Sequence, residues 1–242
     1  MLYTSQTIAE VKVMLERFTW YRQSAFRWKG DRLVVYIDPW GLTGDLPQAD
    51  LVLITHYHFD HFSKDGAFDD PDKAFAPKGG GDLAKIVGPK TVIVAPRDVA
   101  AECSGNVKPV RPGDRIEAAG VKVEAVPAYN TVKERLDAHR KDRAWVGYVL
   151  ELDGRTYYHA GDTDRLPELE RIKADVTFLP VGGTYTMDPT EAAGLAKALR
   201  PKMAVPMHYG FVVGEPSFGE RFKREATPVE VQVLKPTNRF EL

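Results

Sequence analysis

The sequence predicts a mixed α/β fold, and three observations support that prediction. Short segments rich in Val, Ile, Leu and Tyr recur along the chain between Gly, Pro and Asp residues, as β-strands do. Several of them, such as residues 49–55, are continuous apolar runs of the kind that suits a strand buried on both faces. Other segments have the apolar spacing of amphipathic helices. Together they indicate a domain with many strands and several helices.

The predicted elements follow the chain in order. We expect strands at residues 33–37, 51–55, 91–95, 121–126, 146–152, 156–159, 176–180 and 203–207. Helices are expected at residues 8–17, 82–87, 166–172 and 189–199. The last helix has the clearest start, because Asp188 is a good N-cap residue, Pro189 takes the first helical position and Glu191 lies three residues after the cap.

Two polar stretches separate predicted elements. Residues 63–81 are rich in Asp, Lys, Gly and Pro and have neither a helical nor a strand period, so we expect a long mobile loop, either a functional lid or a disordered segment. Residues 130–143 are locally basic, and we expect a solvated loop there. No repeat or linker divides the chain, which predicts a single domain over residues 1–242.

The composition limits the classes of function. Thirty-three Lys and Arg residues nearly balance 34 Asp and Glu residues, so the chain has no overall basic field for nucleic acid or anionic lipid. The one cysteine, Cys103, can form no internal disulfide. No apolar run reaches the roughly 18 residues of a membrane span, and residues 1–17 lack the apolar core of a signal peptide. We expect a cytoplasmic protein without nucleic-acid or membrane partners, and a homo-oligomer is compatible with the sequence.

Four potential metal ligands lie within six residues, directly after the predicted strand 51–55. His56, His58, Asp60 and His61 form a His-x-His-x-Asp-His run, and imidazole and carboxylate groups are the usual ligands of zinc and similar divalent ions. His56 and His58 are two residues apart in an extended stretch and point the same way, whereas Asp60 and His61 follow as the chain turns and can face a second ion. One run can therefore serve two metal ions about 3.5 to 4 Å apart.

Two further candidates follow other predicted strands. Asp162 comes just after residues 156–159, and His208 comes after residues 203–207. Sheets with parallel strands gather ligands at the carboxyl ends of those strands. We therefore expect Asp162 and His208 to converge with His56, with Asp162 as a bridging carboxylate, and both halves of the chain to share one site.

This pattern resembles the signature of the metallo-β-lactamase-fold hydrolases. The motifs that carry the resemblance are His56-x-His58-x-Asp60-His61, Gly161-Asp162-Thr163 and the late His208. Residues 126–130, 158–164, 179–188 and 205–210 are also similar to the branch that includes the bacterial ascorbate-6-phosphate lactonase. The resemblance implies a four-layer αββα sandwich of two similar halves, with a binuclear metal site at the edge where the two sheets meet.

The sequence departs from the family pattern at Asn130. The resemblance places the third histidine of the first metal site after strand 121–126, where this chain has Asn130, and an amide oxygen is a poor zinc ligand beside imidazole. His139, nine residues further on, is either the substitute ligand or a loop histidine without a partner. The second site is complete, with Asp60, His61, Asp162 and His208. We therefore expect one or two divalent ions, of Zn, Mn or Fe.

The remaining candidates surround the ligands. Asp38 and His159 are expected behind them, where carboxylates commonly orient metal-bound histidines. Gly183 and Thr184 lie in a Gly-rich segment that either presents backbone N–H groups to an anion or forms a tight structural turn. Tyr185 and Tyr209 either line the pocket or pack inside the fold. With Asn130, these four residues are the candidate substrate-binding positions.

The predicted activity is metal-dependent hydrolysis of a small anionic molecule. A metal-bound water with its pKa lowered to roughly 7 supplies hydroxide as the nucleophile, and Asp60 or Asp162 orients it and moves its proton. The resemblance favours a lactone or a phosphodiester as substrate. One alternative is a non-catalytic module that binds metal or a small anion. Another is a nuclease, against which the nearly neutral charge argues.

Overall fold

Two six-stranded sheets form the centre of the protein. The computed structural model describes Val13, residues 15–62 and residues 81–241. The first sheet contains β1 (Phe18–Arg22), β2 (Ala25–Lys29), β3 (Val34–Ile37), β4 (Leu51–Leu53), β5 (Val92–Pro96) and β6 (Asn106–Val110). The second contains β7 (Arg115–Ala118), β8 (Val121–Pro127), β9 (Val146–Leu152), β10 (Arg155–His159), β11 (Val176–Pro180) and β12 (Met203–Met207). Spatial order follows chain order in both sheets.

Each sheet combines an antiparallel and a parallel part. Strands β1 to β3 are antiparallel and β3 to β6 are parallel. Strands β7 to β10 are antiparallel and β10 to β12 are parallel. Within residues 16–62 and 81–241 the helices are α1 (Asp82–Ile86), α2 (Arg97–Glu102), α3 (Pro189–Leu199) and α4 (Phe218–Glu225), with 3-10 turns η1 (Lys133–Arg135), η2 (Lys141–Arg143) and η3 (Leu169–Arg171).

The alternation of side chains along β4 shows how the layers are built. Leu51 and Leu53 belong to the core between the two sheets. Val52 points the other way and packs in a separate cluster with Leu83 of α1 and Val99 of α2. Because helices cover the outer face of the sheet, all three residues of β4 are buried, which explains the continuous apolar run in the sequence.

The second sheet is covered in the same way on its outer face. Helix α3 packs against β11 and buries Leu195 and Leu199 in one cluster with Leu179. Helix α4 packs on α3 and adds Phe222. The order of layers is therefore helix, sheet, sheet, helix, and the predicted αββα sandwich is confirmed.

Several predicted elements agree with the structure residue for residue. Strands β9, β11 and β12 and helix α3 have the predicted bounds, and α3 begins with the predicted capping box of Asp188 and Glu191. The other predicted strands are present with shifts of one or two residues.

Four strands and two helices were missed. Strands β1 and β2 interleave aromatic, polar and basic residues instead of forming an aliphatic run. Strands β6 and β7 lie at the edges of their sheets, where β6 carries Pro109 and β7 is largely exposed. Helices α2 and α4 are short, with six and eight residues. The missed elements are therefore strands without an aliphatic run, strands at sheet edges and short helices.

Four other expectations need correction or lie outside the described residues. The helix predicted at 166–172 is wrong except for the single 3-10 turn η3, because the chain soon enters β11. The loop at 130–143 is not simply solvated, since it contains η1 and η2 and buries Arg135 and His139. Residues 63–80 of the predicted mobile loop, and most of the predicted helix 8–17, lie outside the described residues. No helix in the described parts of the chain is long and apolar enough to cross a membrane.

A buried hydroxyl joins the two sheets beneath the histidine run. Tyr148 of β9 donates a hydrogen bond to the carbonyl oxygen of Ile54, two residues before His56, at 2.7 Å. We expect Tyr148→Phe to lower the free energy of unfolding by about 1 to 2 kcal/mol, because the buried carbonyl loses its donor. The measurement is urea unfolding, with stability compared at a common m-value.

Tyr157→Phe is the matched control for that change. Tyr157 is also buried, but its hydroxyl has no hydrogen-bond partner among the described residues. Removing that hydroxyl should therefore leave stability unchanged or raise it. Equal losses for the two variants would show that the bond between the sheets contributes nothing measurable.

Candidate metal centre

The predicted ligands lie on loops that follow parallel strands. His56 comes three residues after β4, Asp162 three residues after β10, and His208 directly after β12. The Asp162 Oδ2 atom is 4.0 Å from His56 Nε2 and 2.9 Å from His208 Nε2. The structure thus brings together side chains that are about 150 residues apart, at the edge where both sheets end.

The first cluster consists of three histidines. His56, His58 and His139 offer ring nitrogens that all lie within 4.8 Å of one another. His56 Nε2 is 3.1 Å from His58 Nδ1. The ring of His139 lies 4.9 Å from each of the other two rings, measured between centroids. Of the two residues that the sequence left open, Asn130 and His139, it is therefore His139 that contributes its ring to this cluster.

The second cluster consists of Asp60, His61 and His208, again with ligand atoms within 4.8 Å. Asp60 Oδ2 is 3.6 Å from His61 Nε2 and 3.4 Å from His208 Nε2. Asp162 lies between the clusters, because its Oδ2 atom is also 3.4 Å from both His61 Nε2 and His139 Nε2. This is the position expected of a carboxylate shared by two ions.

Backbone geometry places two of these loops. Gly161 adopts φ +63°, in the left-handed region that favours glycine, just before Asp162. His208 adopts φ +60°, which is uncommon for a residue with a Cβ atom. Gly182 packs against it so closely that a Cβ there would lie 2.4 Å from the His208 carbonyl oxygen. A strained histidine held in place by its neighbours is typical of a functional position.

Hydrogen bonds behind the rings fix their orientation. Asp38 Oδ2 accepts a hydrogen bond from His61 Nδ1 at 2.7 Å and another from the Thr55 hydroxyl at 2.7 Å. The Thr55 oxygen in turn accepts from His56 Nδ1 at 2.9 Å. His139 Nδ1 donates to the Tyr185 carbonyl oxygen at 3.2 Å. In all three rings Nδ1 is engaged in a hydrogen bond, so Nε2 is the nitrogen that faces the centre.

Two imidazoles of the first cluster, those of His56 and His58, are neutral. Burial and the neighbouring rings of His61 and His58 lower the pKa of His56 well below its ordinary value. Burial and the adjacent His139 lower the pKa of His58 to about 4. At neutral pH both rings therefore present lone pairs, which is the form that binds a metal ion.

The second cluster combines cationic imidazoles with carboxylates. Burial opposes a charge on His208, but Asp162 and Asp60 outweigh it and raise its pKa to about 9. The pKa of His61 is raised in the same way, against burial, by Asp162, Asp60 and Asp38. The pKa values of Asp60 and Asp162 are lowered despite burial, because His61 and His208 lie beside them. These carboxylates are ionised throughout the neutral range, and without metal they are balanced by protons on the histidines.

Orphaned polar atoms show that a divalent cation fits this arrangement. Three buried ligand atoms, His61 Nε2, His139 Nε2 and Asp162 Oδ1, have no hydrogen-bond partner among the described residues. Such atoms are rare in native structures, because each one costs free energy unless it is paired. Nitrogen and oxygen lone pairs that converge in a buried space are the donor set of zinc, manganese or iron.

An ion triad around the buried Arg135 positions the loop that contains His139. Arg135 of η1 contacts Asp164 Oδ1 through Nε at 2.5 Å and both carboxylate oxygens of Glu191 through Nη2 at 2.8 Å. Asn130 Nδ2 donates to the Arg135 carbonyl oxygen at 2.7 Å and to that of Tyr185 at 2.8 Å. These bonds attach the loop at residues 130–143 to α3 and to the turn after β10. Asn130 stabilises the conformation of this loop through its side-chain amide.

The other predicted residues divide between the site and the core. The side chain of Tyr185 is 46% exposed while its carbonyl supports His139. The Gly183 N–H donates to the Met187 carbonyl oxygen at 3.0 Å, which favours the structural-turn alternative. Tyr209 is buried against Trp20, with ring centroids 5.2 Å apart, which favours packing. Thr184 is exposed.

His159 lies behind the site, as its position in the sequence indicated. It is buried between the sheets, and its Nε2 donates to the Ser24 carbonyl oxygen at 3.0 Å. Its Nδ1 accepts from Gly161 N at 3.3 Å, which braces the turn before Asp162.

Sequence reasoning missed Gln23 and Arg135. Gln23 lies in the turn between β1 and β2, and its side-chain amide contacts Asp60 and His208. Arg135 lies in a polar segment that resembles any solvated loop. Neither residue belongs to a motif, and only the tertiary contacts identify them.

We expect Arg135→Met to lower the free energy of unfolding by about 3 kcal/mol or more, because it leaves the buried carboxylate of Asp164 without its cation. Arg140→Met is the matched control on the same loop, since Arg140 and its partner Asp142 are exposed. That change should have no measurable effect. Urea unfolding of both variants tests the point, and an Arg135 variant as stable as the Arg140 variant would contradict it.

Comparison with known proteins agrees with this geometry. Residues 17–208 match the family model of the β-lactamase superfamily domain. A UPF0173 metal-dependent hydrolase of Methanopyrus kandleri is 33% identical, over 93% of this chain and 99% of the relative. One from Pyrococcus abyssi is 33% identical, over 90% of this chain and 96% of the relative.

Solved structures give the same result. The crystal structure of a protein from Parabacteroides distasonis has a TM-score of 0.72 and 30% identity, covering 91% of this chain and 93% of that one. A metallo hydrolase from the archaeon Ignicoccus hospitalis has a TM-score of 0.66 and 25% identity, covering 91% and 95%. The resemblance read from the motifs is confirmed: the chain belongs to the β-lactamase superfamily and, within it, to the UPF0173 family of metal-dependent hydrolases.

Proposed function

We propose that this chain holds two divalent ions and uses them to hydrolyse a small anionic ester, either a lactone or a phosphodiester. The observation that carries the proposal is the position of Asp162, whose buried carboxylate lies between two clusters of ligands. In the first cluster His56, His58 and His139 would hold one ion with Asp162. In the second, Asp60, His61 and His208 would hold the other with the same carboxylate.

The ions would supply a Lewis acid for the substrate oxygen and a nucleophile from water at neutral pH. The chain itself positions the reactants. Asp60 and Asp162 are ionised without metal, because His61 and His208 lower their pKa values against the effect of burial, and divalent ions would keep them ionised in place of those protons. A carboxylate oxygen of either residue can accept a hydrogen bond from the attacking water and pass its proton to the leaving oxygen.

The balance of charge supports an anionic substrate. Only two of the seven ligands, Asp60 and Asp162, are carboxylates, so two divalent ions would leave the site with a net positive charge. The site is closed on one side by Trp145, which is buried with its ring 5.0 Å from that of His56 and 4.9 Å from that of His58. Charge and shielding together favour a small ester whose negative group lies near the bond that breaks.

Removal of metal tests the proposal directly. Chelator-treated protein should lose hydrolysis of a phosphorylated lactone or of an activated phosphodiester, and Zn, Mn or Fe should restore it. Asp162→Asn should lower kcat at least about a thousandfold, because one change affects both ions. Hydrolysis is measured as acid release or as chromophore release.

Asp175→Asn is the control for that variant, since Asp175 pairs with Lys202 away from the site. It should keep full activity. Metal-independent turnover, or an Asp162 variant as active as the control, would refute the proposal.

Asp38 provides a test that does not depend on the substrate. Asp38→Asn removes the charge that receives the His61 Nδ1 proton, and it should weaken metal binding about 10- to 100-fold while the fold remains. Asp50→Asn is the control, because Asp50 accepts a backbone N–H from Val34 and touches no ligand. Competition with a chromogenic chelator measures the affinity, and equal affinities in the two variants would argue against a supporting role for Asp38.

A further inference from the structure

Gln23 contacts two residues of the second cluster, Asp60 and His208, although it belongs to no motif of the sequence. It lies in the turn between β1 and β2, is completely buried and adopts φ +43°. Its carbonyl oxygen accepts hydrogen bonds from the His208 N–H at 3.0 Å and from Trp20 Nε1 at 2.8 Å. The backbone of Gln23 and the backbone of His208 are thus held together.

The side chain of Gln23 reaches the ligand atoms themselves. Its Nε2 atom lies 3.2 Å from Asp60 Oδ2 and 3.3 Å from His208 Nε2. Its Oε1 atom is buried and has no hydrogen-bond partner among the described residues. A turn residue with a purely structural role has no need of a buried amide whose oxygen is left unsatisfied.

The amide can change which atom it presents. An N–H group cannot bind a cation, and here it lies against Asp60 Oδ2 and His208 Nε2, the two atoms that would bind the ion. A half-turn about the terminal torsion of the side chain exchanges nitrogen and oxygen with almost no change in shape. The exchange would direct Oε1 toward the same two atoms, and amide oxygens are good ligands for hard divalent ions.

We propose that Gln23 supplies an oxygen ligand, Oε1, to the ion of the Asp60, His61 and His208 cluster. This inference rests on the proposed function, since it requires an ion in the second cluster. The first cluster then offers three nitrogens and the Asp162 oxygen, whereas the second offers two nitrogens and three oxygens, from Asp60, Asp162 and Gln23. The oxygen-rich set selects Mn or Fe(II), while the nitrogen-rich set selects Zn.

Two variants at the same position test the ligand. Gln23→Leu keeps the Cβ atom and the approximate size but removes both amide atoms, and Gln23→Glu replaces the amide with a carboxylate. We expect the Leu variant to bind Mn at least about tenfold more weakly than the unmodified protein, with one Zn ion bound as before. The Glu variant should bind Mn as tightly as the unmodified protein or more tightly. Gln48→Leu, at an exposed position, should change nothing.

Chelator competition with Mn and Zn measures these affinities, and the visible absorption of the Co(II)-loaded protein reports the ligands directly. We expect the Leu variant to shift the Co(II) bands of one of two ions. A Leu variant with unchanged Mn affinity and an unchanged Co(II) spectrum would overturn the inference and leave the proposed function intact. If the Leu variant does not fold, weaker Mn binding in the Glu variant would overturn it. A failure of the unmodified protein to bind any ion would refute the proposed function as well.

Discussion

The carboxylate of Asp162 is buried among four imidazoles, with His56, His61, His139 and His208 at 2.9 to 4.0 Å from its Oδ2 atom. A charge in such a place is stable only if opposite charge is held close to it. Without metal, protons on His61 and His208 fill that role, as the raised pKa values of both rings show. The same arrangement suits divalent cations, because lone pairs converge once those protons leave. The charge of this one carboxylate is therefore the constraint that four of the six other ligands share.

Hydrogen bonds to the Nδ1 atoms, on the side of the rings that faces away from the centre, orient three of the histidine ligands. Asp38 and Thr55 orient His61 and His56, and the Tyr185 carbonyl orients His139. The supporting groups come from both sheets and from the loops at their common edge, so the site exists only when the two halves of the chain are packed together. The aromatic core between the sheets, where Phe18 and Phe26 lie 5.0 and 4.8 Å from Phe178, is therefore also a condition for assembling the ligands.

The parts of this structure that the sequence predicted are those with a local signal. Strand β9 and helix α3 have strong periodicity or caps, and the run from His56 to His61 places four ligands together whatever the rest of the chain does. The role of His139 stayed open, because the loop that carries it is held by Arg135 through contacts 29 and 56 residues away in the chain. Gln23 had no signal at all, since its relation to Asp60 arises only when the β1–β2 turn packs on the site. The prediction of a solvated loop at residues 130–143 was wrong for the same reason, because the contacts that bury Arg135 and His139 arise only in the folded chain.

The central claim is that Asp162 is shared by two ions, one of which is bound by His139. Anomalous X-ray diffraction from crystals loaded with Mn or Zn tests it most directly, because it locates each ion independently of any substrate. We expect two peaks about 3.5 to 4 Å apart on either side of the Asp162 carboxylate, with His139 bonded to one of them. Peaks that do not contact Asp162, or an ion in the first cluster with His139 turned away from it, would show that the two ions do not share this carboxylate in the way proposed.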